Sequence, residues 1–147
     1  MLLPVLLKDM LSRKNSFSFL FFICFEIFFS QISVPVELDA RGSVLCPDQY
    51  RRWELRSNVY VLICGLSDTK RFGLSRSADV LFEEDATAEL PALIRSYIVR
   101  NYPQMKIEKS FLRNEKRKNS KGFRIEVGEV DLFFAESGEF LRYEVRK

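Results

Sequence analysis

Between Ala88 and Lys147 the apolar side chains change their spacing once, at Pro103, and that change fixes what the segment can become. Before it, Leu90, Leu93, Ile94, Tyr97 and Ile98 recur at i, i+3, i+4, i+7 and i+8, a single stripe of an amphipathic helix that ends at Asn101-Tyr102-Pro103. Pro91 suits the first turn, where its missing N–H would have lacked a partner anyway. After Pro103 the period is two: Met105, Ile107 and Phe111, then Phe123, Ile125 and Val127, then Val130, Leu132 and Phe134, then Leu141, Tyr143 and Val145. Lys106, Glu108, Arg124, Glu126, Asp131, Arg142 and Glu144 stand opposite them. The pattern predicts an α+β unit, a helix packed across an antiparallel four-stranded meander with one face dry and the other wet. Gly128-Glu129 and Glu136-Ser137-Gly138 are short enough for tight turns.

Upstream the signal is weaker. Val34, Val36 and Leu38 alternate before a turn-like Asp39-Ala-Arg-Gly42, and no helical period follows Pro35. Val59 to Cys64 is apolar on both strand faces, which predicts a strand covered on both sides. A further strand is expected from about Phe72 to Glu84, with Ala78, Val80 and Phe82 on one face. Residues 34–86 are thus expected to add strands, ahead of a complete unit over 87–147. Glu83-Glu84-Asp85 is read as a helix-start signal, negative charge being favourable before a helix N-terminus.

Composition excludes more chemistry than it suggests. The 147 residues include no histidine, which removes the commonest general base, every Ser-His or Cys-His pair and all His-containing zinc sites. Neither Glu83 with Glu84 nor Glu126 with Asp131 is by itself an acid–base site, and there is no CxxC pair. The expectation is a non-enzymatic protein without cofactor or metal. A formal charge of +3 creates no global field for nucleic acid, so an electrostatic partner requires a local patch.

Residues 1–33 stand apart. Lys8, Arg13 and Lys14 precede the apolar run Phe17 to Phe29, the order of a signal peptide, and the run is shorter than the ~20 residues of a membrane span. Met10 begins a tidier leader, and the run contains Glu26. Export with cleavage near Ser30 or Ser33 is the favoured reading, with an uncleaved anchor or a buried core helix as alternatives. Localisation is then periplasmic or secreted. Beyond the leader Cys46 and Cys64 remain as an even pair, either joined in an oxidising compartment or left as two thiols.

The run Glu89-Leu-Pro-Ala-Leu-Ile-Arg-Ser-Tyr-Ile-Val-Arg-Asn-Tyr-Pro103, with Lys106 to Lys109, Gly122 to Val127, Val130 to Phe134 and Ser137 to Leu141, resembles the PepSY-like family of secreted bacterial proteins. In that family a Leu-Pro opens the helix and a Tyr-Pro or Phe-Pro closes it. The resemblance covers about 60 of the 147 residues. It implies a fold related to that of the beta-lactamase inhibitor protein, often in two copies, and an exported binding or inhibitory role. It carries over no catalytic residue. The first copy, lacking its own Leu-Pro helix in the sequence, is expected to be partial.

Two features are candidates for binding. The loop from Arg113 to Arg124 gathers Arg113, Lys116, Arg117, Lys118, Lys121 and Arg124 against the single acid Glu115, a cluster suited to an anionic polymer, a membrane surface or an acidic protein. It lacks interleaved aromatics, which argues against stacking on single-stranded nucleic acid. Phe133 and Phe140 point, by strand parity, away from the buried face and would suit a protein interface. The plainer readings are a solvated loop for the first and packing against the preceding strands for the second. The favoured partner is another protein in the cell envelope or outside the cell, with an anionic surface as the alternative.

Overall fold

The computed structural model describes residues 32–47 and 50–146; the leader expected over 1–33 falls outside them but for its last two residues. The unit Val34–Lys147 consists of α1 (Val36–Leu45), β1 (Arg51–Arg56), β2 (Val59–Cys64), β3 (Lys70–Leu74), β4 (Val80–Ala86), α2 (Ala92–Asn101), β5 (Ile107–Glu115), β6 (Ser120–Val127), β7 (Val130–Ala135) and β8 (Phe140–Val145). The class is α+β. All eight strands pair antiparallel in chain order in one sheet. Tight turns make this order cheap: Ser57 and Asn58 both take positive φ, 46° and 67°, in the two-residue turn between β1 and β2, and Gly128 takes 56° between β6 and β7.

The chain is built twice. Each helix has ten residues and follows a proline of nearly the same conformation, Pro35 at φ −54°, ψ 145° and Pro91 at φ −52°, ψ 144°. Three and seven residues beyond each proline lie the buried positions, Leu38 and Gly42 in α1, Ile94 and Ile98 in α2. Leu38 packs with Leu62, Phe72 and Leu74; Ile94 and Ile98 pack with Ile125, Leu132 and Phe134. In each copy the third and fourth strands slip register at the same place, between Gly73 and Leu74 and between Phe133 and Phe134. The turn between them repeats too: Ser75 N–H donates to Asp79 O and Ala78 N–H to Ser75 O, just as Ala135 N–H donates to Glu139 O and Gly138 N–H to Ala135 O. Ala78 is left-handed, at φ 64°, where the second copy places Gly138 at 91°.

The first copy is therefore whole on the helix side, which corrects the expectation of a partial repeat without a helix. The reason it escaped the sequence lies at Gly42. A Cβ there would lie 2.6 Å from Trp53 Cζ2, so the ring of β1 fills the space that Ile98 fills from its own helix in the second copy. The apolar period of α1 is completed by a residue on another element. The single strand expected from Phe72 to Glu84 is likewise two strands, broken at Ser75–Asp79 by a turn with no glycine or proline to announce it. Glu83-Glu84-Asp85 lies within β4 rather than at a helix start. Leu93, assigned to the buried stripe, is 65% exposed and rests beside the Gly138 turn. The structure also brings Cys46, at the end of α1, together with Cys64 on β2, their Cα atoms 5.8 Å apart and their sulfurs in bonding contact, a span that a disulfide allows.

Candidate functional site

No helix covers the second face of the sheet among the described residues, yet that face is not wet. Arg71, Glu84, Arg124, Glu126 and Asp131 are between 1% and 5% exposed. The expectation that Arg124, Glu126 and Asp131 face solvent is thus corrected, and the cause is curvature. Arg56 on β1 comes within 3.8 Å of Asp131 on β7, with five strands between them in the sheet order. The inner face closes on itself and must satisfy its own charges, because a buried ion without partners costs several kcal/mol.

It does so by pairing across the two copies. Arg124 on β6 clamps Glu84 on β4 with two bonds, Nε to Oε1 at 2.8 Å and Nη2 to Oε2 at 2.9 Å. Its Nη1 donates to Glu126 Oε1 at 2.8 Å and to Asp131 Oδ2 at 3.0 Å. Arg71 on β3 reaches the same Glu126 Oε1 at 3.0 Å and donates from Nε to Asp68 at 2.6 Å; Lys109 also donates to Asp68. The guanidinium carbons of Arg71 and Arg124 sit 4.4 and 4.6 Å from the ring centre of Phe111, which has no exposed surface. Alternation with Ile107 places Phe111 on the helix side, but a register slip between Ile107 and Lys109 turns it inward.

Proton affinities follow the pairing. Burial alone would raise the Asp68 carboxyl, but hydrogen bonds from Arg71 and Lys109 outweigh it and hold the group at about 2. Burial is likewise opposed and overcome at Glu84, by Arg124 and Arg113, and at Glu126, by Arg124, so both are lowered. Asp131 goes the other way. Burial raises it, neighbouring Glu126 adds to the rise, and Arg124, shared with two other carboxylates, does not cancel them. Asp131 Oδ1 is also the one buried side-chain oxygen without a hydrogen-bond partner among the described residues, Arg146 Nε standing 3.5 Å away.

The residues singled out in the sequence separate into three groups. Phe140 belongs to the second copy's helix-side core, stacked on Tyr97 at 4.6 Å and edge-on to Phe134 at 5.6 Å. The slip between β7 and β8 pairs it with Phe134, so its parity is opposite to that read from the sequence. Lys116 pairs with Glu83 at 3.1 Å, and Arg117 lies at the exposed hairpin tip with no acidic partner among the described residues. The remaining four, Arg113, Lys118, Lys121 and Phe133, line one cleft of about 160 Å³, with Glu115, Leu141 and Arg142. Arg113 is no free cation: it donates to Glu84 at 2.7 Å and Glu115 at 3.3 Å, and lies 3.6 Å from the Phe82 ring centre. Phe133 is 4% exposed, with Arg142 stacked 4.0 Å above its ring. A second cleft, of about 190 Å³, opens between the β1–β2 turn and β7–β8 and shares Arg113, Phe133 and Arg142 with the first. Sequence reasoning missed Arg142, which it placed on the correct face without seeing Phe133 beneath it. Both clefts are smaller than the ~300–1,000 Å³ of typical small-molecule sites. Among the described residues no group of three metal-ligating side chains occurs, and no helix is long and apolar enough to cross a membrane.

No protein-family model matches this sequence, and no curated protein does. Solved structures do. A protein of Bacteroides eggerthii provisionally assigned to the periplasm aligns over 78% of this chain and 90% of its own with TM-score 0.58 and 15% identity. A DUF2874 family protein from Bacteroides uniformis aligns over 77% and 90% with TM-score 0.56 and 16% identity. A BLIP-like protein from Bacteroides fragilis aligns over 79% and 89% with TM-score 0.51 and 19% identity. The chain has the fold of BLIP-like proteins.

Proposed function

We propose that this chain is an exported, non-enzymatic binding module of the PepSY-like kind that engages another protein in the cell envelope or outside the cell. The observation that carries this reading is the arrangement around Phe133: two clefts, each of a size for one or two side chains, meet at an aromatic floor flanked by Arg113 and Arg142. Arginine and aromatic residues at the centre of a patch are the usual anchors of protein interfaces, and clefts of this size accept side chains rather than cofactors. Leu141, 57% exposed at the edge strand, extends the patch with apolar surface. The descriptions of two fold neighbours, BLIP-like and periplasmic, support the same reading. An inhibitory partner contact would act by steric occlusion.

A photo-crosslinking residue placed at Leu141, and separately at Arg95 on the exposed side of α2, tests this in the organism that makes the protein. The expected result is a discrete adduct of added protein mass from Leu141 and none from Arg95. Equal labelling at both positions, or no adduct while the protein binds anionic vesicles, overturns it in favour of an electrostatic adaptor.

A further inference from the structure

Charge is unevenly distributed between the two clefts. In the larger one Glu84, Asp131 and Glu144 accompany its four arginines, and each acid already accepts a bond from one of them. In the smaller one Arg113, Lys118, Lys121 and Arg142 face a single carboxylate, Glu115, which is itself engaged by Arg113 at 3.3 Å and Lys118 at 3.5 Å. Two cations of that cleft keep donors to spare. Lys121 has no acidic partner among the described residues, and Arg142 spends only its Nε, on Glu144 at 3.0 Å, leaving both Nη groups open above the Phe133 ring.

We infer that this cleft binds a carboxylate side chain presented by an acidic loop of the partner protein, a reading that rests on the protein-binding function proposed above. The Phe133 ring holds the Arg142 guanidinium by its face and so fixes the plane in which its two Nη groups point. A planar fork of that kind matches a carboxylate in two parallel bonds. Lys121 supplies a second, mobile positive charge, and Leu141 offers apolar contact for the aliphatic stem of a glutamate. The volume of about 160 Å³ admits one such side chain. A polyanion would need a longer track of unpaired cations, because its affinity grows with the number of phosphates neutralised. The hairpin does not provide one: Lys116 and Lys118 are already paired with Glu83 and Glu115.

The test is an NMR titration of the purified protein at low salt and neutral pH with three probes: N-acetyl-glutamate N-methylamide, its glutamine analogue and inorganic phosphate. The glutamate probe is expected to give saturable shifts at Gly122, Phe133, Leu141 and Arg142, including the Arg142 side-chain Nε–H. Its affinity is expected to exceed that of either other probe by about tenfold, the discrimination a forked charged pair provides. Lys121→Gln with Arg142→Gln should abolish the response, whereas Lys116→Gln with Arg117→Gln should leave it within about twofold. All four side chains are exposed, so both variants fold, and unchanged helix-side shifts at Ile94 and Ile98 confirm it. Equal binding of the glutamine probe, equal or tighter binding of phosphate, or loss of the response in the Lys116/Arg117 variant overturns the inference. A Leu141 crosslink that persists under any of those outcomes would leave the protein-binding reading standing without its acidic anchor.

Discussion

On the helix side of the sheet the two copies place the same kind of residue at matching positions: Leu38 and Ile94, Leu62 and Ile125, Leu74 and Phe134, Val80 and Phe140. On the inner side the matching positions diverge, with Val61 facing Arg124, Ile63 facing Glu126, Arg71 facing Asp131 and Phe82 facing Arg142 in the comparison. The difference separates two jobs. Apolar burial under a helix lets each copy hold its own four strands, and it works in either copy because it needs only volume. The inner face joins one copy to the other through pairs whose partners lie in opposite copies: Arg124 with Glu84, Arg71 with Glu126, Arg56 with Asp131. Charges that bond only to specific partners tie the copies in one arrangement, where an apolar inner face would tolerate several.

The largest test of this contrast removes one phenylalanine from each side. Phe134→Ala and Phe111→Ala each empty a fully buried site and should each cost about 3–5 kcal/mol in urea unfolding. Phe111→Ala should fall at the upper end of that range, because it also strips the ring from beneath two guanidiniums. A clearly smaller cost for Phe111 would break the claim that the inner face is a second core.

The next concerns an asymmetry on the helix side. Where the first copy has Cys46 and Cys64, the matching residues of the second are Tyr102 and Val127, so only the first can tie its helix to its sheet covalently. We expect the pair to be oxidised in the natively expressed protein, with the intact mass rising by about two daltons on reduction. Cys64→Ser should then cost about 3 kcal/mol in the chain-entropy estimate for a loop of this length. An unchanged mass and an unchanged midpoint would remove the distinction.

Acid should attack the inner side first. Asp68 is held at about 2 against an ordinary 3.8, so the folded state binds its proton more weakly than the unfolded chain does. Its contribution, about 2 kcal/mol, is present above pH 4 and lost as pH falls from about 4 toward 2. Glu84 and Glu126, also lowered, act in the same direction, while Asp131, raised by burial, opposes them weakly. Asp68→Asn should flatten the acid limb of a stability–pH curve; a limb of unchanged slope would contradict the assignment.

The smallest effect compares the repeated turns. Ala78→Gly relieves a left-handed alanine where the second copy already has Gly138, and should add about 0.5–1 kcal/mol of thermal stability. Gly138→Ala should do the reverse, because its Cβ would also come within 3.1 Å of Leu93.

What could be read from the sequence follows the same division. The helix over Ala92–Asn101 and the strands β6 and β7 were legible because Ile94, Ile98, Ile125, Leu132 and Phe134 carry their own period. The first helix was not, since one of its two buried positions is a glycine completed by Trp53. Buried charges alternate along a strand just as wet ones do, and the cross-copy partners of Arg124 and Arg71, Glu84 and Glu126, lie 40 and 55 residues away, beyond any local pattern. Single register slips reversed Phe111 and Phe140, for period-two reasoning fails after one extra residue. The basic hairpin was visible as composition, but which of its cations were already paired was not.

The inner-face charges form a buried structural element that spans the two copies, and the decisive measurement is equilibrium urea unfolding of Glu84→Gln. Replacing that carboxylate by an amide removes the negative charge that Arg113 and Arg124 share inside the fold and sets an amide N–H2 against Arg124 Nη2, where Oε2 had accepted a bond. The expected result is a loss of about 3 kcal/mol or more in a single transition, the cost of breaking a buried pair from one side. A change within about 0.5 kcal/mol, as for an ordinary surface charge, would contradict it.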